Sequence, residues 1–242
     1  MPSSSLSILI ALYNEEEFIA PLLEKVLCAP LPDGMEREII VVDDGSSDGS
    51  AEVVEEFLAQ YPHVIRLIRH ERNQGKGAAI RTGLQHARGE FGIIQDADLE
   101  YDPDEYAVLL RPILKGHADV VYGSRFLGTS HGHRVLYFWH SVGNKVLTLI
   151  SNAFTDLNLT DMESCYKAMT RDVAKKLDLQ SQRFGVEPEI TCKVSRLGVR
   201  IYEVPVSYHG RTYSDGKKIG FKDAIQALVT IIRYAWWTPP KR

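Results

Sequence analysis

Cysteine, long apolar runs and excess charge of one sign are all scarce in this chain, and each shortage excludes a class of protein. Cys28, Cys165 and Cys192 are widely spaced and odd in number, with no Cys-x-x-Cys pair. Neither a disulfide framework nor a cysteine zinc site fits, and a reducing compartment does. No stretch reaches the roughly 18 uncharged apolar residues of a bilayer-spanning helix. The opening Met1-Pro2-Ser3-Ser4-Ser5 lacks the apolar run of a signal peptide, so a soluble or peripheral protein is expected. The formal net charge of −4 gives no global attraction to nucleic acid, although Lys and Arg gather between Arg196 and Lys222 and again at the C-terminus. Internal repeats and low-complexity segments are missing. So are two nucleotide fingerprints. The segment Ala11-Leu12-Tyr13-Asn14-Glu15 has no Gly-x-Gly-x-x-Gly turn for a dinucleotide. Gln74-Gly75-Lys76-Gly77 is no Walker A loop, because His70 replaces the first glycine and no Ser or Thr follows Lys76.

What is present is an ordinary globular composition, 44% apolar and 25% charged over 242 residues. Apolar runs at Leu6–Leu12, Glu38–Val42, Val64–Ile68, Phe91–Ile94 and Asp119–Tyr122 recur about every 20 to 30 residues, the spacing of βα units. This predicts an α/β fold with a mostly parallel sheet flanked by helices. The helices fall at Glu16–Leu27, Gly49–Tyr61, Lys76–Ala87 and Pro103–Lys115, the last with Asp102 as N-cap and Pro103 at its first position. After Gly128 come a helix over Tyr137–Phe154, an irregular segment around Asp161, a helix near Glu187–Leu197, and a strand within Arg200–Ser207. A helix over Phe221–Trp237, apolar on much of its circumference, follows.

Polar residues crowd the predicted strand ends. Gln95-Asp96-Ala97-Asp98 puts two carboxylates at the C-terminal mouth of a buried strand, where open α/β sheets bind ligands. Hard oxygens there suit a divalent cation that also touches phosphate; taken alone, the same pair reads as a solvated turn or helix cap. In Asp43-Asp44-Gly45-Ser46-Ser47-Asp48-Gly49, Ser47 or Asp48 can cap the next helix, while Asp43 at the strand tip suits an acceptor for a base or ribose. Gln74–Gly77 opens a helix whose dipole and amides, with Lys76, could hold an anion or simply form a flexible start. Glu187-Pro188-Glu189 fits helix capping as well as a site pair. Cys165, Tyr166 and Phe184 read as core.

In order along the chain, Asn14-Glu15, Asp43–Asp48, Asn73–Gly77 and Asp96-Ala97-Asp98 resemble the family-2 glycosyltransferases with the Rossmann-like GT-A fold. The branch they look like is that of the dolichyl-phosphate mannose and polyprenyl-phosphate glucose synthases. Val121–Arg125, the Asp161–Lys167 stretch DMESCYK and the basic loop from His209 through Lys218 also have counterparts there. The resemblance implies an inverting, metal-dependent transfer of glucose or mannose from a UDP- or GDP-hexose to polyprenyl or dolichyl phosphate. It places the nucleotide against Ala11, Tyr13, Glu15 and Asp43, with Lys76 nearby. Asp96-Ala97-Asp98 would surround the donor: Asp96 faces ribose or sugar, Asp98 binds Mg²⁺ or Mn²⁺ with Asp96 beside it, and Glu100 is a further ligand. Arg125, Arg211, Lys217 and Lys218 would grip phosphate, and Asp161 would act as base or orient the acceptor.

The acceptor decides which group matters most. A lipid phosphate, with a second pKa of about 6, is already anionic near neutral pH and needs cations rather than a base. A saccharide hydroxyl would need a carboxylate base, which is Asp161. The reading from another class is a nucleotide-sugar-binding protein without transfer activity. The resemblance also divides the chain into a catalytic domain over residues 1–215, with a donor half 1–125 and an acceptor half 126–215, and a basic loop with an amphipathic helix over 216–242. That helix suits the bilayer interface, where Trp and Tyr are favoured and Lys217, Lys218, Lys222, Arg233, Lys241 and Arg242 could meet headgroups. Packing against the catalytic domain or a partner is the alternative. The expected place is the cytoplasmic face of a membrane, with a homo-oligomer or a membrane partner left open and no nucleic acid.

Overall fold

The computed structural model describes residues 4–32, 34–128, 135, 137–210 and 221–239. At its centre lies β1 (Ser5–Leu12), whose Leu6, Ile8, Leu9, Ile10 and Leu12 are all buried. A strand covered by helices on both faces reads as such a near-continuous apolar run, here interrupted by Ser7. It pairs in parallel with β2 (Glu36–Asp43) on one side and β4 (Phe91–Asp96) on the other. With β3 (Ile65–Arg69), β5 (Val120–Ser124), β6 (Lys167–Thr170) and β7 (Ile201–Pro205), the sheet has seven strands in the order β3-β2-β1-β4-β6-β5-β7. Helices α1 (Glu16–Cys28), α2 (Ser50–Gln60), α3 (Lys76–His86) and α4 (Tyr106–Leu114) connect the first five strands.

The chain runs outward from β1 through β2 to β3 and then returns to the other side of β1 at β4. Such a reversal opens a crevice at the C-terminal strand ends, where open α/β sheets bind their ligands. The register sets Ala11 of β1 beside Asp96 of β4. Strand β4 runs two residues past the apolar run that predicts it, because Gln95 is fully buried and accepts from the Tyr106 hydroxyl at 2.9 Å and the Tyr166 hydroxyl at 2.8 Å.

Three expected features differ. Strand β6, not foreseen, lies antiparallel between β4 and β5 and is followed by the short α6 (Arg171–Ala174). The helix expected over Pro103–Lys115 divides into a 3-10 turn at Pro103–Glu105 and α4, with Asp102 capping the turn by accepting from the Asp104 amide at 3.3 Å. At α2 the N-cap is Gly49 rather than Ser47 or Asp48. Asp48 instead accepts from the Ser50 amide at 3.0 Å and from the Glu16 amide at 3.3 Å, which ties the β2–α2 loop to α1.

In the C-terminal half, α5 (Phe138–Thr155), α7 (Val186–Arg196) and α8 (Phe221–Tyr234) pack together. The expected choice between packing and exposure for α8 resolves by face. Ala227, Ile231 and Tyr234 are buried against the domain, whereas Ile225, Val229, Ile232 and the following Trp236 stay exposed. Buried Lys193 of α7 is held by Glu189 at 2.6 Å and lies under Tyr234 and Trp237, at 4.9 and 5.2 Å from their ring centres. Among the described residues no helix is long and apolar enough to cross a membrane.

Candidate active site

Three loops at the C-terminal edge of the sheet are laced together before any ligand arrives. The β1–α1 turn needs Asn14 at φ 52°, a conformation Asn tolerates better than most residues. Asn14 Oδ1 then accepts from the Ser47 amide at 2.8 Å, and the Ser50 hydroxyl accepts from the Glu15 amide at 2.9 Å. Asp44 takes over the next loop, accepting from the Gln74 and Gly75 amides at 3.0 and 2.6 Å and meeting His70 Nδ1 at 2.7 Å. Gly75, at φ 96°, opens α3, and a Cβ there would stand 2.3 Å from the Gln182 carbonyl oxygen; one on Gly77 would stand 2.3 Å from that of Ser181. The start of α3 is therefore covered by the 181–183 backbone, with the Ala78 amide donating to Gln182 O at 3.2 Å. Its contribution to the site is the Lys76 side chain.

These loops wall a cavity of about 1070 Å³ at the crevice beside β1 and β4. That is larger than the roughly 300 to 1,000 Å³ of a typical small-molecule pocket, enough for a donor and part of an acceptor. Of the residues singled out in the sequence, Ala11, Tyr13, Glu15 and Lys76 line it, and so do Asp96, Ala97, Asp98, Glu100 and Arg125. Asp43 and Asp161 are not among its described lining residues, and Arg211, Lys217 and Lys218 lie outside the described residues.

Charge in the cavity is paired closely. Lys76 Nζ bridges Asp96 Oδ1 at 2.7 Å and Glu187 Oε1 at 2.9 Å. Burial alone would lower the Lys76 pKa, but Asp96, Cys165 and Glu187 more than offset it and hold the ammonium well above the ordinary lysine value. For Asp96 burial pulls upward, and Lys76 with the Cys165 thiol, which donates at 2.9 Å, brings it below the usual carboxylate value. Burial and the Asp96 charge keep Cys165 a thiol.

Two of the expected residues have internal partners in the structure. Asp43 was expected to receive a base or ribose. Its Oδ1 instead accepts from the Ser46 amide at 3.0 Å inside the turn, and the adjacent Asp44 is the one that reaches the cavity. Asp161 was expected as a base or acceptor-orienting group at the cavity. It is fully buried, with its oxygens 2.7 and 2.8 Å from Arg125 Nε and Nη2, while Glu203 accepts from its amide at 3.2 Å. Its geometry fixes a guanidinium, and it is Arg125, packed 5.0 Å over the Tyr208 ring, that faces the cavity.

The expected metal set of Asp96, Asp98 and Glu100 does not form a closed cage from the protein alone. Among the described residues, no group of three or more His, Cys, Asp or Glu side chains could hold a metal ion by itself. Asp96 is committed to Lys76 and Cys165, and Glu100 Oε2 accepts from the Tyr208 hydroxyl at 2.6 Å. The donor set still fits a hard cation that takes most of its ligands from substrate phosphate and water, as Mg²⁺ does with one or two carboxylates, since Asp98 and Glu100 present oxygens at the cavity wall.

Residues 7–178 match the sequence model of the family described as Glycosyl transferase family 2. The chain belongs to that family. This glycosyltransferase is 31% identical over 242 residues to the dolichyl-phosphate beta-glucosyltransferase ALG5A of Trichomonas vaginalis, covering 95% of this chain and 72% of that protein. It is 30% identical over 211 residues to the undecaprenyl-phosphate 4-deoxy-4-formamido-L-arabinose transferase of Photorhabdus laumondii, covering 87% of this chain and 62% of that one. Its fold is similar to glucosyl-3-phosphoglycerate synthase of Mycobacterium tuberculosis, solved with Mn²⁺, UDP-glucose and phosphoglyceric acid. The TM-score is 0.74 at 20% identity, over 96% of this chain and 80% of the other.

The cavity is also lined by residues to which the sequence assigns no individual role there, Asp44, Asn144, Glu163 and Phe184, and by Cys165, which lies in the core as expected. Glu163 and Cys165 lie inside the DMESCYK stretch, which was the available signal.

Proposed function

We propose that this glycosyltransferase moves a hexose, with inversion, from a nucleoside diphosphate sugar to the phosphate of a polyprenyl lipid at the cytoplasmic face of a membrane. The observation that carries the reading is the Arg125–Asp161 pair. The saccharide reading names Asp161 as its carboxylate base, and Asp161 is buried and spent on orienting Arg125. An acceptor phosphate needs no base near neutral pH. It needs a fixed cation, and a guanidinium held by a carboxylate grips phosphate oxygens at little further ordering cost.

The donor side follows from the same physical chemistry. Ala11, Tyr13 and Glu15 would hold the nucleoside, and Lys76, Asp96 and Ala97 would surround the sugar and diphosphate. Asp98, with Glu100 alongside, would hold a divalent cation, Mg²⁺ or Mn²⁺, which when bound stabilises the charge gained by the leaving diphosphate. Arg125 would keep the acceptor phosphate on the side of the anomeric carbon opposite that leaving group, with Arg211 and Lys217 of the basic loop adding charge. The relatives named for dolichyl and undecaprenyl phosphate support this acceptor class.

The acceptor end of the cavity supports a lipid too. Val135, Tyr137 and Trp139 line it and are exposed, as are Phe138 and Leu149 of α5 and Val229 and Ile232 of α8. We assign this apolar lip to peripheral contact with a bilayer, where Trp and Tyr are favoured.

The test incubates labelled UDP-glucose, GDP-mannose or UDP-N-acetylglucosamine with polyprenyl phosphate in Mn²⁺, Mg²⁺ or chelator. Label entering the lipid phase from one donor, and only with metal, is expected, with UDP-glucose the first to try. Donor hydrolysis without lipid labelling would overturn the acceptor assignment.

A further inference from the structure

Glu163 has no part in the chemistry described so far, yet it faces the cavity from the loop between α5 and β6. Its Oε1 is shut off from solvent and has no hydrogen-bond partner among the described residues. Glu187 presents a second such atom on the same cavity: Oε1 is taken by Lys76, while Oε2 is buried and unpartnered. Folded chains rarely leave buried carboxyl oxygens unsatisfied, and two from separate elements on one cavity mark a place where a ligand supplies the missing partners.

The chemistry of the pair selects the ligand. Burial, and then the Glu187 charge, push Glu163 up to about 8, with Lys167 and Arg125 pulling it down and Asp161 adding to the rise. At neutral pH Glu163 is therefore mostly protonated, with one hydrogen to donate and oxygens to accept. Cys165 does not compete, because its thiol is given to Asp96. A phosphate oxygen would find repulsion from Glu187 here, and the Lys76 charge is already shared between Glu187 and Asp96. A hydroxyl both donates and accepts, and matches a neutral carboxyl beside one paired with a lysine.

We propose that Glu163 is a specificity-determining residue whose carboxyl, with Glu187 on the same wall, hydrogen-bonds a hydroxyl of the hexose being transferred. This rests on the nucleotide-sugar reading above. It assigns the sugar-selecting contact to a position outside the Asp96-Ala97-Asp98 motif.

The experiment measures kcat/KM for the accepted nucleotide hexose and its 2-, 3-, 4- and 6-deoxy analogues with wild-type enzyme, Glu163→Ala and Glu163→Gln. In the wild type the analogue lacking the recognised hydroxyl should lose about tenfold. In Glu163→Ala the parent donor should lose about tenfold and that one analogue nothing further, and Glu163→Gln should recover part of the loss. Equal deoxy penalties in wild type and Glu163→Ala would overturn the proposal, as would an unimpaired Glu163→Ala. Glu163→Leu, which keeps the volume filled, replaces the alanine variant if thermal melting shows that one unfolded. Should wild-type enzyme label no lipid, the acceptor reading fails separately, and the same deoxy series read by calorimetric donor binding decides the role of Glu163.

Discussion

The two ends of one cavity treat charge in opposite ways. At the donor edge the acids are engaged in advance: Asp44 by two amides and His70, Asp96 by Lys76 and Cys165. At the proposed acceptor end the surface is apolar, with Trp139 78% and Phe138 69% exposed. Oriented charges suit a soluble, highly charged donor, because a preorganised site spends nothing on reorganisation as charge develops. Apolar area left in water suits a partner that covers it, and contiguous patches of this kind mark interaction surfaces. On the proposed reading, donor and lipid reach one cavity from different solvents.

Breaking the donor end at its central cation should have the largest effect. Lys76→Ala leaves Asp96 and Glu187 without their shared counter-charge, and removing one partner of a buried pair costs about 3 to 5 kcal/mol. Melting by calorimetry should show that loss toward its lower bound, since these side chains keep some exposure. Adding Glu187→Gln should restore part of it, and additive effects of the two changes would deny the coupling. Next in size is Asp98→Ala. We expect kcat for lipid labelling to fall about 10²- to 10³-fold with melting unchanged, the scale of losing one preorganised stabiliser of transition-state charge. Undiminished turnover would remove Asp98 from the proposed cation site.

That donor edge is also the part of the molecule most legible in the sequence. Each βα unit writes an apolar run followed by an amphipathic helix, so the first five strands and their order of appearance could be read directly. The polar residues at their ends converge on one cavity because parallel strands bring all their C-termini to one edge. Between the neighbours Asp43 and Asp44, however, the turn decides which acid faces the cavity, and a linear pattern does not carry that. Strand β6 was hidden by its own Lys167, a fully buried lysine whose ammonium is satisfied by the carbonyls of Met162 and Ser164 and lies 4.9 Å from the Tyr122 ring centre. The partner of Asp161 is 36 positions away in sequence and could not be inferred from spacing. Glu163 carries no separate signal within DMESCYK, because only the fold shows that its oxygen is sealed in.

Glu163 sharpens the comparison by giving the cavity wall a group that is neutral where its neighbours are charged. Folded, its carboxyl sits at about 8 against an ordinary 4.5. The native state then binds this proton more tightly than the unfolded chain, so the stability it contributes is present below the unfolded value and lost as pH rises toward the folded one. The slope is up to about 1.4 kcal/mol per pH unit within that window. Glu163→Gln cannot ionise and escapes the loss. The melting temperature of Glu163→Gln relative to wild type should therefore rise between about pH 5 and about pH 8, whereas a constant difference would mean that Glu163 is ionised in the folded chain.

The smallest expected effect belongs to the acceptor end, and it separates binding from chemistry. Phe138 and Trp139 open α5 beside the cavity mouth, and their exposed rings would enter the bilayer interface without changing the donor edge. Complete burial of a large apolar side chain is worth about 1.5 to 3 kcal/mol, and an interface removes only part of its area from water. Replacing Phe138 by Ser should therefore weaken partition of the whole chain into anionic vesicles by about tenfold, while kcat on a short, water-soluble prenyl phosphate stays near wild type. Equal loss on vesicle-bound and soluble acceptors would place this lip in the chemistry instead. Unchanged partition would assign the apolar face to a protein neighbour, and the contrast between the two ends would then be one of partners rather than of solvents.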